Sequence, residues 1–187
     1  MTKTALVPIA EGSEEIEVVC IVDTLRRGGV AVTVASVMDD LQITASRQTK
    51  IVADVPIADC VGKTFDLIAL PGGMPGAEHL RDNSELTALL AAQHDAGRLI
   101  GALCASPAVV LLPHGLLDGH RATCFPSFFP LLQEALEVEA LEDRVVDDGT
   151  LITSRGPGTA IEFALTLVER LFSAEHAAAI GERMLAR

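Results

Sequence analysis

Short apolar runs alternate along this chain with longer segments of helical periodicity, and few folds accommodate that order. Thr4 to Ile9, Val30 to Val37, Asp66 to Leu70 and Leu99 to Leu103 read as strands. They are apolar nearly throughout rather than at every second residue, the pattern of strands covered on both faces. Between them lie helices. Glu14 to Arg27 closes at Gly28-Gly29, and Ser84 to Ala96 runs from Ser84 as an expected N-cap to a stop at Gly97. Further on, Ser106-Pro107 opens an apolar helical stretch through Leu112. Arg121 to Cys124 is an expected strand and Ser127 to Ala135 a short helix. Arg144 to Ser154 reads as two strands around the turn DDGT. Pro157 to Leu171 and Ala174 to Leu185 are expected helices, the first with Pro near its start. Gln42 to Ala45 and Thr49 to Val52 suit an added hairpin or ribbon. Repeated strand–helix order with apolar strands predicts one α/β domain over residues 1–187, a mainly parallel sheet between two helical layers.

Composition narrows the functions such a domain can serve. A net charge of −12 repels phosphate backbones and anionic membranes, so stable nucleic-acid or membrane binding is not expected. Trp and Tyr are absent, which removes the usual base-stacking platform. No apolar run approaches the roughly 18–20 residues of a membrane span, and TALVPIA is too short for a secretory h-region. Cys20, Cys60, Cys104 and Cys124 lack metal-type spacing. They read as reduced thiols of a cytoplasmic protein, with neither metal nor cofactor expected.

Sheets of this kind present their sites beyond the carboxyl ends of the strands. Three segments fall there: EGSEEIE, PGGMPG and CAS. Cys104 stands where an apolar strand gives way to a helix start. The thiol is either a small hydrophobe filling a gap or a nucleophile favoured as thiolate by the helix dipole and nearby N–H groups. Glu17 shares a helix face with Cys20, Ile21 and Thr24, so its carboxyl is expected to be partly buried, with a raised pKa. Its other reading is a first-turn glutamate that only stabilises the helix dipole, a role Glu14 and Glu15 fit better. Two glycines after a strand suit either a plain turn or a backbone cradle. Neither G-x-G-x-x-G nor G-x-x-x-x-G-K-[ST] occurs, which leaves nucleotide binding without support.

VPIAEGSEEIEVV, FDLIALPGGMPGAEHL, LIGALCASPAVVLL and ITSRGPGTAIEFALTLVE fall in order across nearly the whole chain. Together they resemble the DJ-1/ThiJ/PfpI superfamily, in its DJ-1/YajL-like branch. The resemblance implies a flavodoxin-like three-layer sandwich and a homodimer. It implies Cys104 on a strained elbow, Glu17 as the thiol's acidic partner, and backbone N–H groups of Gly73 and Ala105 facing an oxyanion. Gly72, Phe125, Arg155 and Pro157 would border the pocket. Two positions depart from parts of the family. Ala105 stands where amidase-like relatives carry His, and Phe125 where other members carry His, which disfavours a peptidase. None of the five His residues is an evident partner of the thiol.

The activity implied is conversion of reactive α-dicarbonyls such as methylglyoxal, without glutathione or metal, with glycated protein as a further possible substrate. The alternative is a redox sensor or oxidation-activated chaperone using the same thiol.

Overall fold

Residues 2–136 and 142–186 are described by a computed structural model. β1 (Thr4–Ile9) pairs in parallel with β2 (Ala31–Ser36) on one side and β6 (Leu67–Leu70) on the other. β2 carries the short β5 (Val55–Pro56). β6 continues through β7 (Leu99–Leu103) to β9 (Leu151–Ser154), and β8 (Val145–Asp148) closes the sheet antiparallel to β9. The order β5-β2-β1-β6-β7-β9-β8 is that of a flavodoxin-like α/β sandwich. β3 (Gln42–Thr44) and β4 (Lys50–Val52) form the separate ribbon expected from sequence.

Both faces of the central sheet are dry, which is why β1, β6 and β7 are apolar nearly throughout. From β1, Leu6 packs with α2 (Gly76–Asp82) and α3 (Ser84–Asp95). Ala5, Val7 and Ile9 pack on the other face with α1 (Glu15–Arg27), α5 (Ala160–Leu171) and α6 (Ala174–Arg183). α1 buries Glu17, Val18, Ile21, Thr24 and Leu25, one stripe at helical spacing. Gly29, at φ +85°, ends it in the left-handed conformation.

Two local expectations fail. Arg121 to Cys124 is not a strand, because both edges of β7 and of β9 are already paired. The segment lies across the sheet end instead. Thr123 N–H donates to the Thr153 hydroxyl at 2.9 Å, and Phe125 N–H donates to the Cys104 carbonyl at 2.8 Å. The cap of α3 is Asn83, whose side chain accepts from Leu86 N–H at 2.8 Å; Ser84 is already helical. The helix over Ser127 to Ala135 is a short turn at Pro126–Phe128 followed by α4 (Phe129–Leu136). Among the described residues no helix is long and apolar enough to cross a membrane.

Candidate active site

β1, β6 and β7 run parallel, so their carboxyl ends open at one edge of the sheet and bring together the three segments singled out above. Cys104 follows β7 with φ +64°, a left-handed backbone that a side chain adopts only at a cost of roughly 1–2 kcal/mol. Its N–H donates to the Ser154 carbonyl at 2.9 Å, and its carbonyl takes the Phe125 N–H. Sheet and loop thus clamp the strained residue from both sides. The chain then enters a wide π-type turn over Pro107–Leu111, so the apolar stretch after the thiol is less regular than its sequence suggests.

Gly72 crosses beside this elbow. A Cβ there would stand 2.7 Å from Cys104 Cβ and 2.8 Å from Ala105 N, so only glycine fits. Its N–H donates to Glu17 Oε2 at 2.7 Å. Glu17 is fully buried, as its apolar helix face implies. The Cys104 thiol lies against the same carboxyl without an aligned hydrogen bond. Glu17 Oε1 therefore has no partner among the described residues. Backbone N–H groups of Gly73 and Ala105 point at the sulfur.

Electrostatics couple the two side chains. Burial, opposed first by the Gly72 N–H and then by the Cys104 thiol, and helped by the charge of Glu14, pushes Glu17 up from 4.5 to about 7. Burial and the neighbouring Glu17 carboxylate push the Cys104 thiol up, against the pull of the Gly73 and Ala105 N–H groups. A helix start alone therefore does not make this thiol a thiolate. The sulfur ionises readily only when the pair's one proton resides on Glu17, which then opposes it no longer and can donate to it.

The thiol opens on a cleft of about 310 Å³ whose walls include Glu14, Ser46, Arg47, Phe125 and Pro157. Phe125 and Pro157 line this cleft, while Gly72 lies beneath it rather than on its wall. Arg155 does not line it. Its guanidinium sits 5.2 Å from the centre of the Phe129 ring and donates to the Glu142 carbonyl at 2.9 Å, which draws it into an adjoining groove. None of the five His residues reaches the cleft, and among the described residues no three metal-ligating side chains converge.

Glu14, Ser46 and Arg47 were not singled out for this wall. Glu15 draws the ribbon loop over the site. Burial would raise its carboxyl, but its own N–H, the Ser46 hydroxyl, Arg47 N–H and Thr49 outweigh this and hold it at about 2. The adjacent acids in EGSEEIE are the only local sign of this anchoring.

The sheet order and a strained thiol beside a buried carboxyl define a flavodoxin-like sandwich of the elbow-cysteine class. Within that class the chain belongs to the DJ-1/PfpI family, which it matches over residues 3–170. It is 42% identical over 170 residues to a Caenorhabditis elegans protein named glutathione-independent glyoxalase DJR-1.2, covering 90% of this chain and 89% of that one. Protein DJ-1 homolog A of Arabidopsis thaliana is 46% identical over 186 residues. The match covers all of this chain, but the chain spans only 47% of that relative's length. A structure of oxidized Toxoplasma gondii DJ-1 superposes with a TM-score of 0.95 at 46% identity, covering 99% of both chains.

Proposed function

We propose that the protein converts α-oxoaldehydes to hydroxy acids through a covalent adduct on Cys104, without glutathione. The reading is carried by the strained Cys104 thiol against the buried Glu17 carboxyl beneath a cleft of about 310 Å³. With the proton on Glu17, the thiolate attacks the aldehyde carbon of methylglyoxal and forms a hemithioacetal. Gly73 and Ala105 N–H groups stabilise the oxyanion, which takes the Glu17 proton and leaves Glu17 as carboxylate. Glu17, as carboxylate, removes the proton from the former aldehyde carbon and returns it to the neighbouring carbon, leaving a thioester. Water cleaves the thioester, releasing lactate and restoring the thiol. The sum is methylglyoxal plus water to lactate, with no net oxidation. A carboxyl that titrates near neutral pH suits both halves of that transfer. The naming of the C. elegans relative supports this reaction class.

The same adduct chemistry extends to early glycation adducts on proteins. The protein is also read as cytoplasmic and as a homodimer, the dimer supported by Ile16 and Val19, both more than half exposed on α1.

A second reading, a redox sensor or redox-regulated chaperone, draws on the same site. Peroxide would oxidise the thiolate to sulfenate and a second equivalent to sulfinate, each releasing water, with Glu17 and the two N–H groups holding the product. The deciding measurement is lactate formed from methylglyoxal by fully reduced protein without glutathione. Turnover lost in Cys104→Ser and reduced by about 10²-fold in Glu17→Gln is the expected result. An inert reduced protein would leave only the redox reading.

A further inference from the structure

The peptide plane joining Pro71 to Gly72 is held at both ends. Its N–H donates to Glu17 Oε2 at 2.7 Å, and its carbonyl accepts the Ser106 hydroxyl at 2.5 Å. Ser106 and Glu17 are both fully buried. Ser106 opens the helical stretch after the elbow, where a serine ordinarily caps, yet its side chain makes no cap bond. It crosses instead to the end of β6. We propose that Ser106 is a positioning residue that fixes the Pro71–Gly72 peptide and, through its N–H, sets the protonation of Glu17.

Two physical effects act in the same direction. Gly72 has no Cβ to restrict its backbone, so a peptide released at its carbonyl can turn its N–H away from Glu17. A hydrogen bond to the carbonyl also polarises the amide and makes its N–H a stronger donor. Both favour the ionised carboxylate. Gly72 is its one aligned donor, since Oε1 has no partner among the described residues. The titratable groups facing Glu17 are Cys104 from the elbow, with Glu14 and Cys20 from its own helix. None of these brings a positive charge. Gly72 N–H is thus the main counterweight to burial, and Ser106 governs that counterweight without touching the carboxyl.

The inference rests on the Glu17–Cys104 pair and holds whichever substrate the site takes. Its test is the ¹³C titration of the Glu17 carboxyl in reduced protein labelled at glutamate, with the resonance assigned by its disappearance in Glu17→Gln. The wild-type midpoint is expected near 7. Ser106→Ala should raise it by roughly half a pH unit or more, with an unchanged circular dichroism spectrum. Ser106→Cys, a weaker donor of similar size, should fall between the two. An unmoved or lowered midpoint in Ser106→Ala would overturn the proposal, as would a larger shift in Ser106→Cys than in Ser106→Ala. Absence of methylglyoxal turnover would sink the proposed reaction and leave this titration readable.

Discussion

Replacing Glu17 by Gln should stabilise the protein, and the gain should grow with pH. Glu17 is raised from 4.5 to about 7 in the folded state. Between those values the folded protein keeps a proton that the unfolded chain has released. Stability from this group is thus fully present below about pH 4.5 and lost as pH rises through 7. The slope is about −1.4 kcal/mol per pH unit, so the whole interval amounts to about 3 kcal/mol. The group is fully buried, so solvent screening removes little of this. Gln is uncharged at every pH and can still accept the Gly72 N–H. The difference between variant and wild type should therefore widen by about 2 kcal/mol from pH 5.5 to 7 and then level off. Urea unfolding of both proteins under reducing conditions at half-unit steps measures it. Work above pH 5.5 also stays clear of the isoelectric point near 4.7. Parallel curves over that range would refute the reasoning. They would mean that folding does not hold back a proton on Glu17 over that range.

Three further outcomes are expected. Cys104 should be the thiol most rapidly alkylated by iodoacetamide at neutral pH, because it opens on the cleft beside a carboxyl that can take its proton, whereas Cys60 and Cys124 are fully buried and the raised Cys20 has only acidic neighbours; peptide mass mapping reads the order. Mild peroxide should give no Cys104–Cys124 disulfide, since Cys124 faces the core while its neighbour Phe125 is 40% exposed on the cleft; non-reducing peptide maps containing that bridge would contradict the facing. Light scattering at micromolar concentration should give a dimer mass for the wild type and a monomer mass for Val19→Glu, which places a charge on the exposed stripe of α1.

Periodicity made the sheet legible, because strands dry on both faces cannot hide their apolar runs. It misled at Arg121 to Cys124, where the residues suit a strand but no edge of β7 or β9 is free. Strand vacancy is a property of the whole sheet and leaves no local trace. Cys104 was legible from its place between strand and helix, and Glu17 from the apolar company on its helix face. The cleft wall was not. Ser46 and Arg47 arrive there because Glu15, far from them in sequence, grips their loop. Arg155 was assigned to the pocket by motif alone, and the ring of Phe129 draws it aside.

Turnover and oxidation place different demands on the same proton. Both need the state in which Glu17 is protonated and the sulfur is charged, since a neutral thiol is a poor nucleophile toward aldehyde or peroxide alike. Oxidation asks nothing more, and a carboxyl that never released its proton would serve it equally well. Turnover requires the proton to leave Glu17 and return within each cycle. A carboxyl raised to about 7 meets that requirement, whereas one pushed much higher would give up the proton too rarely. The Gly72 N–H, aimed at Oε2 and backed by the Ser106 hydroxyl, offsets burial enough to keep Glu17 in that range. A site built only to hold an oxidised sulfur would gain nothing from a donor that favours the ionised carboxylate. The double hold on the Pro71–Gly72 peptide therefore weighs toward turnover.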